Sequence, residues 1–210
     1  MARITGPVCR VCRRLGDKLY LKGDKCFTPS CSFERRPYAP GQRSISKRRR
    51  KVSDRGLQLR EKQKARAVYG VLERQFRRYY KEAVRRPGIT GEMLLRTLEF
   101  RLDNVVYRLG FANSRAQARQ VVLHGHIAVN GRKSAIPSHV LKVGDAVSWT
   151  LRGSNSELFN LAKEQVGVKT IPSWLSLDVE NMGGHVLALP EVEEIGAKFS
   201  PAAIVEHYSR

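Results

Sequence analysis

Apolar residues recur every three or four positions between residues 54 and 86, the spacing that places side chains on one face of an α-helix. Ser53 or Asp54 can cap the start of this helix, and Pro87-Gly88 can end it. Gly70 indicates a break between two helices. The predicted stripe faces the core and consists of Val68, Leu72, Phe76, Tyr79 and Ala83.

A second helical pattern begins after Thr90-Gly91, where leucines and valines recur at helical spacing as far as Leu109. Gly110 is the expected C-cap of this run. Ser114 and Gln117 then fit a capping box, which opens a short helix that Gly125 closes.

After Gly125 the pattern changes from helical spacing to alternation. Apolar and polar residues alternate on both sides of Asn130-Gly131, which is the strongest short-range signal for a β-hairpin. Gly144-Asp145 predicts a second turn and residues 146–151 a third strand. The order helix, helix, hairpin, strand predicts a compact α+β unit.

Charge is distributed unevenly along the chain, which carries a formal net charge of +20. Cations outnumber acids 15 to 3 in residues 1–51, 13 to 6 in 52–101 and 7 to 2 in 102–152, whereas acids lead 8 to 4 in 153–210. A strongly basic chain is typical of a nucleic-acid-binding protein. An anionic membrane surface is the competing partner, but membrane binding needs apolar anchors opposite the cations or a lipidation motif, and the second is absent.

Composition also bounds where the protein works. With 41 % apolar residues in a length of 210, the chain can bury a substantial core. It has no run of eighteen apolar residues and no hydrophobic signal region, so neither a membrane span nor a secretory leader is expected. We therefore expect an intracellular protein whose cysteines stay reduced.

All four cysteines lie within the first 31 residues, at Cys9, Cys12, Cys26 and Cys31. A Cys-x-x-Cys pair, thirteen residues and a second pair separated by four residues suit two knuckles that close one tetrahedral metal site. Disulfides or buried free thiols are the alternative interpretation. Zinc is the expected metal, with an iron–sulfur cluster as the alternative, because thiolates bind both.

A short run of cations follows the cysteines. Residues 43–51 hold six cations, no acid and one large apolar residue, so they cannot form a core element. A solvated loop is one interpretation, but six uncompensated cations repel one another unless a polyanion neutralises them. We therefore predict nucleic-acid contacts from Arg43, Lys47, Arg48, Arg49, Arg50 and Lys51.

Other candidate contacts lie on the predicted helices and hairpin. Cations fall largely off the apolar stripe of residues 54–86, so that segment should offer a basic side. Arg115 and Arg119 stand four residues apart at a helix start, where free backbone N–H groups favour phosphate, although two solvated arginines would give the same pattern. The remaining predicted RNA contacts are Arg74, Arg77 and Arg78 on the helix and Arg132 and Lys133 beside the hairpin.

Residues 114–149 resemble the RNA-binding module named after small-subunit ribosomal protein S-four, with its Ser-Arg helix, its Val-Asn-Gly hairpin and its Gly-Asp turn. This module also occurs in pseudouridine synthases, tRNA synthetases and heat-shock RNA binders. The flanking residues 59–83, 98–120, 172–178 and 204–210 resemble bacterial-type members of the ribosomal family itself. Four-cysteine knuckles occur in one branch of that family.

The resemblance implies a structural protein that binds small-subunit ribosomal RNA early in assembly, at a multi-helix junction. It also implies a position where messenger RNA enters the subunit, beside ribosomal protein S-five, at an interface that influences decoding accuracy. The implied partners are therefore small-subunit ribosomal RNA, messenger RNA and S-five, with no membrane and no small-molecule substrate.

The main alternative is an RNA-modifying enzyme or stress RNA binder that shares only the module. Arg101-Leu102-Asp103 is similar to the Arg-Leu-Asp of pseudouridine synthases, but only a 58-residue acidic segment follows the module. Asp103 is therefore expected on a helix surface or in a local ion pair. The five histidines form no catalytic or metal-binding spacing, and we predict that the chain is not an enzyme.

These patterns predict an α+β protein in five segments. We expect a four-cysteine metal knuckle over residues 1–36, a basic extended loop over 37–53 and a helical domain over 54–97. The RNA-binding module should occupy residues 98–152. Residues 153–210 should form an acidic segment that packs on the helical domain.

Overall fold

The computed structural model describes residues 4–41, 52–167 and 169–209. The chain forms two compact units, of which the first comprises residues 1–94 together with 197–210 and the second residues 95–196. The predicted α+β class is confirmed, because the structure contains both helices and an antiparallel sheet. No helix within the described ranges is long and apolar enough to cross a membrane.

Helices are joined by turns and irregular segments in the first unit, and its described residues contain no strand. A short 3₁₀ turn, Gly23–Cys26, lies between its first two helices. Helix α5 belongs in part to each unit, since the division falls after Leu94. The helices of this unit are α1 (Val8–Leu15), α2 (Ser32–Arg35), α3 (Asp54–Val68), α4 (Glu73–Arg85), α5 (Thr90–Glu99) and the late helix α11 (Pro201–Ser209).

Helices α3 and α4 confirm the predicted cap and break. The Ser53 hydroxyl accepts a hydrogen bond from the Gly56 N–H over 3.3 Å, which satisfies one of the free donors at the start of α3. Gly70 then takes a φ of +62°, a left-handed conformation that glycine adopts without a Cβ clash. The chain therefore turns between α3 and α4 and does not continue as one rod.

Helix α11 completes the first unit from the far end of the chain. It packs against α3 and buries Ile204 completely. The Tyr208 hydroxyl donates to Glu73 Oε1 over 2.7 Å, and its ring stacks on Tyr80 with centroids 4.6 Å apart. The last helix thus contributes core contacts and hydrogen bonds to both α3 and α4.

The second unit combines helices with one sheet. Its core holds side chains from helices and strands alike, including the fully buried Leu102 and Val106 and the 2 % exposed Trp174. Its helices after α5 are α6 (Leu102–Arg108), α7 (Arg115–Leu123), α8 (Leu151–Ser154), α9 (Glu157–Gln165) and α10 (Val192–Ile195). Its strands are β1 (Ile127–Val129), β2 (Arg132–Lys133), β3 (Ala146–Trp149), β4 (Leu175–Asp178) and β5 (Gly183–Val186).

The sheet has the order β2-β1-β3-β5-β4, and every pair is antiparallel. The predicted hairpin is confirmed, because Val129 pairs with Arg132 across Asn130 and Gly131, whose φ values are +51° and +75°. Positive φ at both central residues defines a type I′ turn, whose twist matches that of the strands. The predicted third strand is confirmed as β3.

The long helical pattern of residues 92–111 is interrupted in the structure. Arg101 is extended, with φ −66° and ψ 137°, and bridges to Val140. The Leu141 N–H donates to the Phe100 carbonyl and the Leu102 N–H donates to the His139 carbonyl, each over 2.8 Å. Pairing with residues 139–141 therefore replaces one turn of helix, and the prediction of one continuous helix was wrong.

The C-terminal segment is divided between the two units. Residues 153–196 belong to the second unit, where β5 extends the sheet from β3, and residues 197–210 belong to the first. The whole of residues 153–210 was predicted to pack on the helical domain, and no strand was predicted within it. The short strands β4 and β5 contain Ser, Asp, His and two glycines, a composition that gives little strand signal.

Candidate nucleic-acid interface

Helix α4 buries one side and exposes a basic one. Phe76, Tyr79 and Ala83 are at most 2 % exposed and form the inner side. The cations at the intervening positions are exposed, and within the described residues none of them forms a salt bridge with a carboxylate. This surface, here called the α4 face, consists of Arg74, Arg77, Arg78, Lys81 and Arg85.

The hairpin presents a second basic surface, in the other unit. Arg132 and Lys133 make up β2, and both are exposed. They line an open groove of about 730 Å³ together with His139 and Lys142. A groove lined by cations can bind the backbone of a nucleic acid. The cations would contact phosphates, and such contacts do not distinguish one base from another.

The predicted pair at the start of α7 is held against the protein. Arg119 forms an ion pair with Asp103 over 3.0 Å, and its side chain is 11 % exposed. Arg115 donates from Nε to Asn104 Oδ1 over 2.7 Å, and its guanidinium lies 4.6 Å from the centroid of the Tyr107 ring. Phosphate contacts from these arginines stay a prediction, and each such contact would compete with a partner inside the fold.

Asp103 anchors this arrangement from within. It is 4 % exposed, and the fully buried Arg101 donates to its two oxygens over 3.0 and 2.6 Å. Of the two environments predicted for Asp103, the ion pair is confirmed. The alternative position on a helix surface is wrong, because α6 begins directly after the β-bridge that Arg101 forms with Val140. A buried carboxylate that is bound by two arginines stabilises the fold and is not accessible to a substrate.

A second buried acid, Glu99, was missed by sequence reasoning. It is fully buried and accepts from Arg108 through both oxygens over 2.9 Å and from Asn104 over 2.7 Å. Asn104 in turn accepts from Arg115, so the acid fixes the arginine through the amide. Glu99 and Arg108 are nine residues apart, a spacing outside the usual i, i+4 pattern for helical ion pairs.

The four cysteines line one small cavity of about 10 Å³ in the first unit. Cys12, Cys26 and Cys31 are buried, Cys9 is partly buried, and all four are free thiols. Burial raises the pKa of the Cys12 thiol, a hydrogen bond with the Leu19 backbone opposes the rise, and the other three sulfurs raise it further. The other three sulfurs therefore lie close enough to Cys12 to act on its charge.

Among the side chains that the structure describes, no group of three or more His, Cys, Asp or Glu is arranged as a metal site. The predicted metal knuckle is thus not shown. The donor set nevertheless fits a thiophilic ion, because four sulfurs share one cavity and thiolates are the preferred ligands of structural zinc. Zinc and the alternative iron–sulfur cluster both stay predictions.

Of the predicted basic loop over residues 37–53, residues 42–51 lie outside the described residues. Its candidate contacts Arg43, Lys47, Arg48, Arg49, Arg50 and Lys51 therefore receive no structural account.

A further basic cluster was missed by sequence reasoning. The turn at Gly125 brings His124 and His126 together with Lys133, and Arg152 acts on His126 from α8. Only Lys133 was among the predicted contacts. The pattern His-Gly-His at a helix end was visible, but Arg152 lies 26 residues farther on and is brought there by the β3–α8 connection.

Comparison with known proteins gives matches that run the length of the chain. Residues 3–99 match the family described as the ribosomal protein S4/S9 N-terminal domain, and residues 100–147 match the S4 domain. The chain is 56 % identical to the small ribosomal subunit protein uS4 of Heliobacterium modesticaldum, with 100 % of both chains covered. It is 54 % identical to uS4 of Pelotomaculum thermopropionicum and 55 % identical to uS4A of Clostridium botulinum, again over 100 % of both chains.

The two matched families cover both basic regions described above. The first match contains the helix with the α4 face, and the second contains the hairpin with its exposed cations. More than half of all positions are identical to those of these relatives, and the similarity extends over the whole of the described fold. The chain therefore belongs to the uS4 family of small ribosomal subunit proteins.

Proposed function

We propose that this chain works as a structural protein of the small ribosomal subunit and binds small-subunit ribosomal RNA. The observation that carries the proposal is the full-length identity to uS4 proteins. The fold supports it, because the α4 face and the hairpin groove both present cations that have no carboxylate partner in the described residues. The protein works in the ribosome and is not an enzyme, as its family is structural.

Recognition would rest on shape and phosphate contacts. Cations on two separate units can touch phosphates of different RNA helices, and such contacts fix position without reading sequence. Asp103 is buried behind two arginines and offers no catalytic carboxylate, which disfavours the alternative of an RNA-modifying enzyme.

Salt dependence of RNA binding tests this proposal. Replacing Arg77 of the α4 face with Ala should weaken binding to small-subunit ribosomal RNA and flatten the slope of log affinity against log salt by about one unit. The combined change of Arg74, Arg77 and Arg78 should flatten it by about three. Lys163→Ala, an exposed change in the acidic C-terminal segment, is the matched control and should leave the slope unchanged. An unaltered slope in the triple variant would contradict the proposed α4 contact.

We also propose that residues 43–51 contact messenger RNA where it enters the subunit, that the chain joins assembly early at a multi-helix RNA junction, and that it lies beside ribosomal protein S-five at an interface that influences decoding accuracy. The family resemblance and the six cations of this run support the proposal. Replacing the six cations with Ala should leave subunit assembly intact and slow elongation more on structured than on unstructured messages. Equal slowing on both, or failed assembly, would show that the run anchors ribosomal RNA.

We further propose that Cys9, Cys12, Cys26 and Cys31 hold one structural zinc ion. Their shared cavity and the mutual effect of their sulfurs support this, and nearby cations such as Lys22 and Lys25 would offset the negative charge of four thiolates. The ion would stabilise the fold around it and take no part in a reaction. An iron–sulfur cluster is the alternative, and metal analysis of protein purified under reducing conditions distinguishes the two.

A further inference from the structure

The turn between α7 and β1 concentrates positive charge around one glycine. Gly125 has a φ of +74°, and the side chains of its two neighbours, His124 and His126, place their ring centroids 6.0 Å apart. Lys133 of the hairpin reaches over the same turn, with its Nζ 2.9 Å from the position that a Cβ on Gly125 would occupy. A Cβ at residue 125 would displace the end of this lysine side chain, so glycine lets Lys133 lie directly over the turn.

The β3–α8 connection adds a fourth basic side chain to the turn. The Thr150 N–H donates to the His126 carbonyl over 2.8 Å, and the Thr150 hydroxyl donates to the Gly125 carbonyl over 3.1 Å. Gly153 packs so closely that a Cβ there would stand 2.5 Å from the same His126 carbonyl. These contacts fix α8 beside the turn, and Arg152 is exposed on that helix.

No acidic group balances this cluster in the described part of the chain. Partial burial lowers the pKa of His126, and the charges that lower it further come from His124, Arg152 and Lys133. None of these four residues forms a salt bridge in the described residues. His126 Nδ1 is, in addition, a buried nitrogen without a hydrogen-bond partner. The turn therefore holds two cations, Lys133 and Arg152, beside two histidines that can take up a proton, and none of the four forms a salt bridge with a described carboxylate.

We propose that this turn is a phosphate site for the RNA backbone, formed by His124, His126, Lys133 and Arg152, and that RNA binding there is coupled to proton uptake. The inference rests on the proposed function and names a site within it. A phosphate among these groups removes their mutual repulsion and favours the protonated imidazole. By linkage, the protein then binds RNA more tightly as pH falls through the range in which histidine titrates.

The test measures affinity for small-subunit ribosomal RNA at fixed salt between pH 8 and pH 6. The unaltered protein should bind about three- to tenfold more tightly at pH 6, which corresponds to an average uptake of about 0.25–0.5 proton over these two pH units. The double variant His124→Gln/His126→Gln should lose most of this response. His185→Gln is the matched control, because His185 is exposed on β5 and acts on the carboxylate of Asp178. The control should keep the full response.

A second arm uses salt and avoids the histidines. Arg152→Ala should flatten the salt slope by about one unit, whereas Lys163→Ala on the next helix should not. If the double histidine variant does not fold by circular dichroism, His124→Gln together with Lys133→Gln replaces it, since both residues are exposed. A full pH response in the histidine variant, or an unchanged slope in Arg152→Ala, would overturn the site. Failure of the unaltered protein to prefer small-subunit ribosomal RNA over unrelated RNA would instead overturn the proposed function.

Discussion

Individual buried charges organise the start of the second unit. Arg101 is completely buried, and Asp103 compensates its charge by accepting from it through both oxygens. Asp103 also binds Arg119 from the next helix. One carboxylate therefore ties the bridge residue before α6 to the middle of α7.

Replacing Asp103 with Asn tests this role. The change removes the negative charge of the carboxylate that binds the buried Arg101, and breaking a buried pair in this way costs about 3–5 kcal/mol of unfolding free energy. Urea denaturation followed by circular dichroism should show the loss. Glu164→Gln, at an exposed position on α9, is the control and should change stability by less than about 0.5 kcal/mol. An Asp103→Asn variant as stable as the control would show that the pair contributes little.

At the scale of elements, the helix caps and the hairpin turn could be predicted from short sequence patterns. Ser53 and Ser114 were identified as caps, and the structure confirms both, with hydroxyls that accept from the N–H groups of Gly56 and Gln117. Asn130-Gly131 was identified as the hairpin turn for the same reason. Each of these features depends on a few adjacent residues, which the sequence displays directly.

Elements that depend on distant partners were not predictable in this way. The break at Arg101 exists because residues 139–141 pair with the chain there, about forty residues away. Strand β5 exists because β3 offers an edge, since Gly183 and Gly184 have low strand propensity of their own. The bonds that hold Arg115 and Arg119 were hidden for the same reason, because their partners lie on another helix.

The cysteine segment gives a testable prediction at the scale of one small element. If a metal organises residues 4–36, Cys12→Ser should release it, because structural zinc contributes about 10 kcal/mol or more to the folding of such a unit. Solution NMR should then show lost dispersion for this segment and unchanged signals from α3 and α4. Ser30→Ala, beside Cys31, is the control and should retain the metal. Absence of zinc and iron from the unaltered protein would contradict the metal interpretation.

At the scale of the whole molecule, the first unit is built from two distant parts of the chain. Residues 197–210 close it through Ile204, through Tyr208 on Glu73, and through Gln58, which donates to Glu206 over 2.8 Å. The whole C-terminal segment was predicted to pack on the helical domain. Its division at residue 196 was not predicted, although the acids are concentrated in residues 153–196.

Removing residues 197–210 should therefore damage one unit and spare the other. Amide hydrogen exchange in α3 and α4 should become much faster, because the truncated protein loses the helix that covers them, whereas protection in β1, β3 and β5 should persist. Tyr208→Phe, which removes a single hydrogen bond, should give a much smaller effect. Equal loss of protection in both units would show that they fold as one cooperative body.

The late position of α11 has a consequence for the order of synthesis. The 102 residues of the second unit separate the two parts of the first. At about 5–20 residues per second, translation takes about 5–20 s to reach α11 after residue 94 has been made. During that interval the second unit can fold, but the helix that carries the α4 face still lacks its Tyr208 contacts. A nascent or prematurely stopped chain that lacks α11 thus presents the α4 face on a helix without its Tyr208 contacts, and we expect it to bind RNA more weakly than the finished chain.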